Sequence, residues 1–318
     1  MSFMIRGTGM YVPEKIVTND DLSILVETND EWIQKRVGIK ERHIAVTETT
    51  SEMGYRAAQA ALDNAGLQAD ALDLILCATV SGDTVSPSLA CMVQNKLGAD
   101  CMAYDINAAC SAFLFLLETA EGYFARGKCK NILVVGAERM SRIVDWSDRG
   151  TCVIFGDGAG AAVLTKADAP YDSVFTVHGG DSVIKIPTYP GKSPFWQGDV
   201  SEKPYVYMNG QETFKYAVTA IANDVHTLLD NNGLTMDDIR YIVPHQANYR
   251  IIDSAAKRGG IPLEKFYLNI ERFGNTSSAS IPMALDEMNR AGLLTRGDRL
   301  ILCAFGGGLA NAACLITW

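Results

Sequence analysis

Apolar positions along the chain alternate between two patterns. Runs of strand length, LDLILCATV (72–80), KNILVVGAE (130–138), CVIFGDG (152–158), IRYIVPHQ (239–246) and RLILCAFGGG (299–308), are almost continuously hydrophobic, as strands buried on both faces are. Between them, SEMGYRAAQAALDNAG (51–66), CSAFLFLLETAEGYFARG (110–127), NGQETFKYAVTAIANDVHTLLDNNG (209–233) and ASIPMALDEMNRAG (279–292) space their apolar residues with helical period. Gly66 and Gly233 supply the glycine that commonly stops a helix. The alternation predicts an α/β fold with mostly buried strands. GDGAGAA (156–162) is followed by AAVLTKA, which patterns as another strand rather than a helix, so the segment is expected to be a hairpin and not a dinucleotide loop. No GxxxxGK[ST] occurs, which excludes a P-loop on pattern.

The chain also repeats itself. LDNAGLQADALDLILCAT (62–79) laid on LDNNGLTMDDIRYIVPHQ (229–246), an offset of 167 residues, matches Leu, Asp, Asn, Gly, Leu, Asp and Ile without a gap. The helix-then-strand unit from Cys110 to Gly136 pairs with the unit from about Ser278 to Ala304 at nearly the same offset. Two related halves, 1–168 and 169–318, are therefore expected, joined near TKADAPYDS (165–173), where Pro and short polar residues interrupt the apolar periodicity. Loops at equivalent ends of two such sheets can converge on one cleft.

Composition narrows the function classes. With 48% hydrophobic and 20% charged residues over 318 positions the chain is globular, and 28 Lys+Arg against 37 Asp+Glu leave a net charge of -9, a poor match to a phosphate backbone. No apolar run approaches the roughly 18 residues of a membrane-spanning helix. MSFMIRGTGMYVP lacks a basic segment followed by a long apolar one, so no secretory signal is expected and the location is expected to be cytoplasmic. Eight dispersed cysteines, with no CxxC and several in apolar runs (Cys77, Cys303, Cys314), predict reduced core thiols, and four histidines without ligand spacing predict no metal site.

Four positions stand out as chemistry. Cys110 follows the strand-like MAYDINAA and opens an apolar helix, so its sulfur is expected at a helix N-terminus, where unpaired N–H groups favour a thiolate. For Cys77 and Cys303, mid-strand in apolar runs, a core role is expected instead. His245 ends the strand-like YIVPHQ, where a structural and an acid-base role are both open. His178, His226 and His43 are expected to be structural, solvated or peripheral. Asn275, in RFGNTSSAS, suits an N-cap and equally an amide donor to a carbonyl oxygen. Gly306-Gly307-Gly308 either lets backbone N–H groups approach a substrate or is a plain turn.

DINAACSAF, DRGTCVIFGDGAGAAVL, VPHQANYRI, ERFGNTSSAS and AFGGG, in this order and with the N-terminal TNDEWIQKRVGIKERHI, resemble the β-ketoacyl-acyl carrier protein synthase III family of the thiolase superfamily over nearly the whole chain. The resemblance implies a duplicated, five-layered α-β-α-β-α fold and decarboxylative condensation of an acyl-CoA with malonyl-acyl carrier protein, with no metal or organic cofactor. It implies Cys110 as nucleophile, His245 and Asn275 as its catalytic partners, and the N–H groups of Cys110 and Gly307 as the oxyanion hole. Trp32 and Arg149 match the pair that sandwiches the CoA adenine, with Thr28, Arg36, Gln211, Ala247 and Asn248 near the rest of that ligand. Arg250, Lys257 and Arg258 match the patch that docks the acidic carrier protein. Ser86 and Phe305 fall to the acyl pocket, and a homodimer is implied.

Some positions depart from the family pattern. Ser86 stands where the acetyl-selective form usually has a Phe that closes the acyl pocket across the dimer interface. Val37 and Gln211 replace a commoner Thr and Asn, Ser111 a commoner Ala, and LANAACL follows the glycines where an aromatic is frequent. With the catalytic set intact, these changes bear on the acyl group. A related enzyme of secondary metabolism with a longer or branched donor is the nearest alternative. Acyl transfer without decarboxylation, a Cys-His-Asn hydrolase and a non-catalytic binding module are more distant ones.

Overall fold

The computed structural model describes residues 2–188, 194–195 and 203–318. Its first sheet holds β1 (Ser2–Tyr11), β2 (Leu74–Ala78), β3 (Met102–Asp105), β4 (Asn131–Arg139) and β5 (Asp157–Ala167), in the order β1-β5-β4-β2-β3. The second holds β6 (Tyr171–Val177), β7 (Tyr241–Pro244), β8 (Arg299–Gly306) and β9 (Ala310–Thr317), in the order β7-β8-β9-β6. Placed end to end, the orders are the same: β6 takes the place of β1, β9 of β5, β8 of β4 and β7 of β2. Among the described residues the second sheet has no counterpart of β3, and a parallel bridge joins Ile242 to Phe266 there.

Helices fill the layers between and around the sheets. Outside the first sheet lie α2 (Thr50–Ala65) and α3 (Leu89–Leu97), sharing a core with Ile75, Leu133 and Val163; α1 (Asp30–Val37) precedes them. Outside the second lie α5 (Gly210–Asn232) and α6 (Tyr249–Gly259), packed on Ile242, Ile301 and Leu315. Between the sheets run α4 (Ala112–Ala125) and α7 (Ser280–Arg290), in a core that takes Leu76 and Val134 from one sheet and Leu302 and Ala312 from the other. The result is the five-layered α-β-α-β-α arrangement. The continuous apolarity of β2 and β8 follows, because each is covered on both faces.

The helix stops fall at the anticipated glycines: Gly66 and Gly233 adopt φ of 64° and 61° and close α2 and α5. CVIFGDG, by contrast, is not a strand. Asp148 accepts a hydrogen bond from the Gly150 N–H and starts a short helix, Arg149–Cys152, and the strand begins only at Asp157. Nor is GDGAGAA a hairpin, because DGAGAA opens the single 11-residue strand β5. Its glycines answer to packing rather than turning. A Cβ on Gly160 would lie 2.5 Å from the Met283 backbone nitrogen, so only a strand without side chains there lets α7 sit down on the sheet.

Candidate active site

Four chain segments, carrying Cys110, His245, Asn275 and Gly306-Gly307, meet at one cavity. Cys110 sits in a single 3-10 turn (Ala109–Ser111) ahead of α4, one turn earlier than the helix start expected of it. Ala109 before it is held at φ 49°, a left-handed conformation that alanine adopts only under constraint from its surroundings. The constraint comes partly from Gly306 at the end of β8, whose Cα faces the Cys110 backbone so closely that a Cβ would lie 2.8 Å from its nitrogen. His245 follows β7, and its N–H donates to the Cys303 carbonyl oxygen at 2.8 Å, continuing the parallel pairing of β7 with β8. Asn275 is stitched to the first half: its N–H donates to Ile154 O (2.9 Å) and its carbonyl accepts from Gly156 N–H (3.1 Å). Cys110, His245, Asn275, Gly306 and Gly307 all line the cavity, with Phe305, Ala247 and Asn248.

The Ser/Thr-rich stretch around Asn275 is not a helix cap. No side chain caps α7; instead Asn275 and Ser278 hold groups around the site. Ser277 N–H donates to Asn275 Oδ1 at 2.8 Å, which leaves the amide Nδ2 as the free, donating end. Ser277 itself sits at φ 51°, its hydroxyl buried beside the Cys110 thiol. Ser278 Oγ donates to Glu138 Oε1 at 2.8 Å. The fully buried Glu138 also accepts from Ser81 Oγ (2.5 Å), Val80 N–H (3.0 Å) and Thr79 Oγ1 (3.1 Å), so one carboxylate clamps the Asn275 segment to the loop after β2. Glu138 and the contacts made by the serines escaped the sequence reading. Their partners lie far away in sequence, and the clustering of small hydroxyl residues was the only signal.

Both reactive groups are neutral at rest. Burial pushes the Cys110 thiol up to about 11, with the Ser277 hydroxyl pulling the other way, so the thiolate expected from a helix end is not the resting form. Burial likewise drives His245 down to about 3, so its imidazole carries no charge near neutral pH. A thiol with so high a pKa reacts through a thiolate fraction that grows tenfold per pH unit. Alkylation of Cys110 by iodoacetamide, followed by peptide mass mapping, is expected to accelerate log-linearly between about pH 6 and 9. A plateau within that window would reinstate the stabilised thiolate.

Other anticipated residues sort into three groups. The Arg149 guanidinium lies 4.8 Å from the Trp32 ring centroid and Arg36 lies 5.9 Å from it, a cation–π stack in which Arg149 also donates to Glu27 O at 2.8 Å. Thr28, in the same segment, has a buried hydroxyl without a hydrogen-bond partner among the described residues. Gln211, in the first turn of α5, is exposed beside the cavity-lining Gly210, and Asn248 caps α6 by accepting from the Arg250 N–H at 2.9 Å. Arg250, Lys257 and Arg258 all lie on the exposed side of α6, with Lys257 paired to Asp253 at 2.7 Å. Ser86 is exposed in the loop after β2 and does not line the cavity of its own chain. His43 accepts from or donates to no catalytic group: its Nδ1 lies 2.5 Å from Pro13 O, and His226 Nε2 lies 2.8 Å from Gly259 O. Among the described residues no group of three or more His, Cys, Asp or Glu is arranged to hold a metal, and no helix is long and apolar enough to cross a membrane.

Comparison with known proteins gives this geometry a family. The model for 3-oxoacyl-[acyl-carrier-protein (ACP)] synthase III matches residues 104–181, and that for its C terminal part matches 229–318. The β-ketoacyl-[acyl-carrier-protein] synthase III of Clostridium acetobutylicum is 46% identical over 322 residues, covering 100% of this chain and 99% of the relative. The crystal structure of 3-oxoacyl-[acyl-carrier-protein] synthase III from Aquifex aeolicus matches with a TM-score of 0.92 at 41% identity, over 99% of this chain and 100% of that one. The priming β-ketosynthase of the R1128 polyketide pathway follows with a TM-score of 0.91 at 34% identity, over 99% and 96% of the two chains. Along its full length, this chain belongs to the β-ketoacyl-acyl carrier protein synthase III family.

Proposed function

We propose that the protein condenses an acyl-CoA primer with malonyl-acyl carrier protein to give 3-ketoacyl-acyl carrier protein, the first condensation of fatty acid biosynthesis, in the cytoplasm. The observation that carries this reading is the convergence of Cys110, His245, Asn275 and the Gly306-Gly307 backbone on one cavity in a chain of this family. Cys110 Sγ, on losing its proton, bonds to the thioester carbon; the negative charge that builds on the carbonyl oxygen meets the N–H groups of Cys110 and Gly307, and CoA departs carrying the proton. Malonyl thioester then enters. Nδ2 of Asn275 and an N–H of His245 hydrogen-bond its thioester carbonyl, the bond to the carboxylate breaks to release carbon dioxide, and the electron pair passes to the enolate. The enolate carbon bonds to the acyl carbon, the bond to Sγ breaks, and Cys110 takes a proton back. Two neutral donors suit this step, since they stabilise charge only as it develops.

The rest of the surface supports the same substrates. An indole and a guanidinium already stacked, at Trp32 and Arg149, offer two flat faces for a purine once they part, and Arg36, Thr28, Gln211, Ala247 and Asn248 are the further contacts this reading assigns to CoA. Arg250, Lys257 and Arg258 form a cationic face on a chain of net charge -9, suited to an acidic carrier protein. The halves 1–168 and 169–318 meet between β5 and β6, and the open edge of β3 suits pairing with a second copy. In such a dimer the exposed Ser86 would reach the partner's acyl pocket, where Phe305, Val80, Met140, Ile186 and Val206 already make apolar walls. A small side chain there favours a longer or branched primer, the alternative that the likeness to a polyketide priming enzyme also supports.

Intact mass after incubation with acyl-CoAs from acetyl to decanoyl, then with malonyl-acyl carrier protein, tests the reading. One acyl group per chain, discharged by the malonyl thioester, is the expected result, and the preferred chain length reports on the Ser86 pocket. No adduct with any donor would overturn it.

A further inference from the structure

His245 has a partner that the condensation as written does not use. Its Nδ1 lies 2.7 Å from Ser280 Oγ, in the first turn of α7. The backbone N–H of Gln246 donates to that same oxygen at 3.3 Å. A hydroxyl has one proton to give and two lone pairs to receive with. One lone pair of Ser280 is engaged by an amide that can only donate, and among the described residues that oxygen makes no hydrogen bond besides these two. The hydroxyl proton therefore has Nδ1 as its acceptor, and Nδ1 must offer a lone pair.

We propose that Ser280 is a positioning residue: by donating to Nδ1 of His245 it holds the neutral ring in the tautomer whose proton is on Nε2, the form that can donate to the malonyl carbonyl as the enolate develops. This rests on the reading above that His245 acts as a hydrogen-bond donor and not as the base for Cys110.

Three further features agree with it. Nε2 makes no hydrogen bond among the described residues, while His245 lines the cavity, so the proton there is left for a substrate. The ring is buried and met edge-on by Phe305 at 5.6 Å, which fixes its plane but offers no polar partner that would choose a tautomer. Burial keeps the imidazole uncharged far below neutral pH, so the position of its single proton, rather than the gain of a second one, is the variable the site controls. In the opposite tautomer Nε2 would turn a lone pair toward the carbonyl oxygen, replacing an attraction with a repulsion. Ser280 is free to serve in this way because α7 does not use it as a cap.

The test compares wild type, Ser280→Ala, Ser280→Thr and His245→Ala, each checked for cooperative thermal unfolding. Acylation of Cys110 is followed by intact mass and decarboxylation by carbon dioxide release from malonyl-acyl carrier protein. Tautomers are read from 15N-histidine spectra, the His245 signals being those lost in His245→Ala. Wild type should show a protonated Nε2 and an unprotonated Nδ1. Ser280→Ala should acylate at close to the wild-type rate, release carbon dioxide about a hundredfold more slowly, the order lost with one oxyanion donor, and lose the single-tautomer signature. Ser280→Thr, which keeps the hydroxyl, should recover both. A wild-type ring protonated on Nδ1 would overturn the proposal even if neither Ser280 variant folds, as would a Ser280→Ala enzyme that slows both steps equally with its tautomer unchanged. Undiminished carbon dioxide release by His245→Ala would instead remove the donor reading beneath it.

Discussion

Cys110→Ala is expected to abolish the acyl adduct and to lower condensation by roughly 10⁴-fold or more, as loss of a covalent nucleophile does, while carbon dioxide release from malonyl-acyl carrier protein persists. His245→Ala should do the reverse, accumulating acyl-enzyme that malonyl thioester cannot discharge. The split follows from how the site is built. Cys110 hangs from its own 3-10 turn against β8, whereas His245 and Asn275 are held by α7's serine and by the Ile154–Gly156 backbone. No hydrogen bond links the thiol to the imidazole, and a ring held near a pKa of 3 is a weak base for a thiol near 11. Intact mass and evolved carbon dioxide, measured on the same samples, separate the two half-reactions. If His245→Ala failed to form the adduct, His245 would be the base that activates Cys110, and the chemistry would approach that of a Cys-His-Asn hydrolase.

The architecture was legible in the sequence wherever a local rule acts alone. Gly66 and Gly233 stop their helices because an αL residue is needed there, and the 167-residue offset survives in space because β2 and β7 begin at Leu74 and Tyr241, that same distance apart. Local rules misled where tertiary packing decides. CVIFGDG is apolar enough for a strand, yet the short helix that Asp148 starts, Arg149–Cys152, runs into its first residue, and the glycines of β5 mark the close approach of α7 rather than a reversal of the chain. At the site, Cys110, His245, Asn275 and the glycine run were all visible as residues at strand ends. What was not visible is everything that depends on depth: the desolvation that turns an expected thiolate into a thiol, and the contacts of Ser278 and Ser280 with Glu138 and His245, which join segments far apart in the chain.

Gly306→Ala should cost nearly as much as losing the oxyanion hole, and Gly307→Ala much less, although the two are neighbours and only Gly307 is assigned an oxyanion N–H. A Cβ on Gly306 would lie 2.8 Å from Cys110 N, 3.2 Å from its Cβ and 3.3 Å from Ser111 N. None of these atoms is the end of a flexible side chain. Gly306 is locked by its pairing with Ala310 on β9, and the Cys110 turn is anchored at the head of α4, so neither can retreat without displacing the thiol from the donors around it. A Cβ on Gly307 meets nothing closer than 3.5 Å, at Ile184 Cγ2, which is ordinary contact. Misplacing nucleophile and oxyanion donors together is expected to slow acylation by about 10²- to 10³-fold in Gly306→Ala, with thermal unfolding still cooperative, whereas Gly307→Ala should stay within about tenfold of wild type. Single-turnover acylation by intact mass, run on both variants, decides it. Equal losses in the two would mean that backbone freedom at the Gly307 N–H, rather than the close seat of Cys110 on Gly306, is what the glycine run provides.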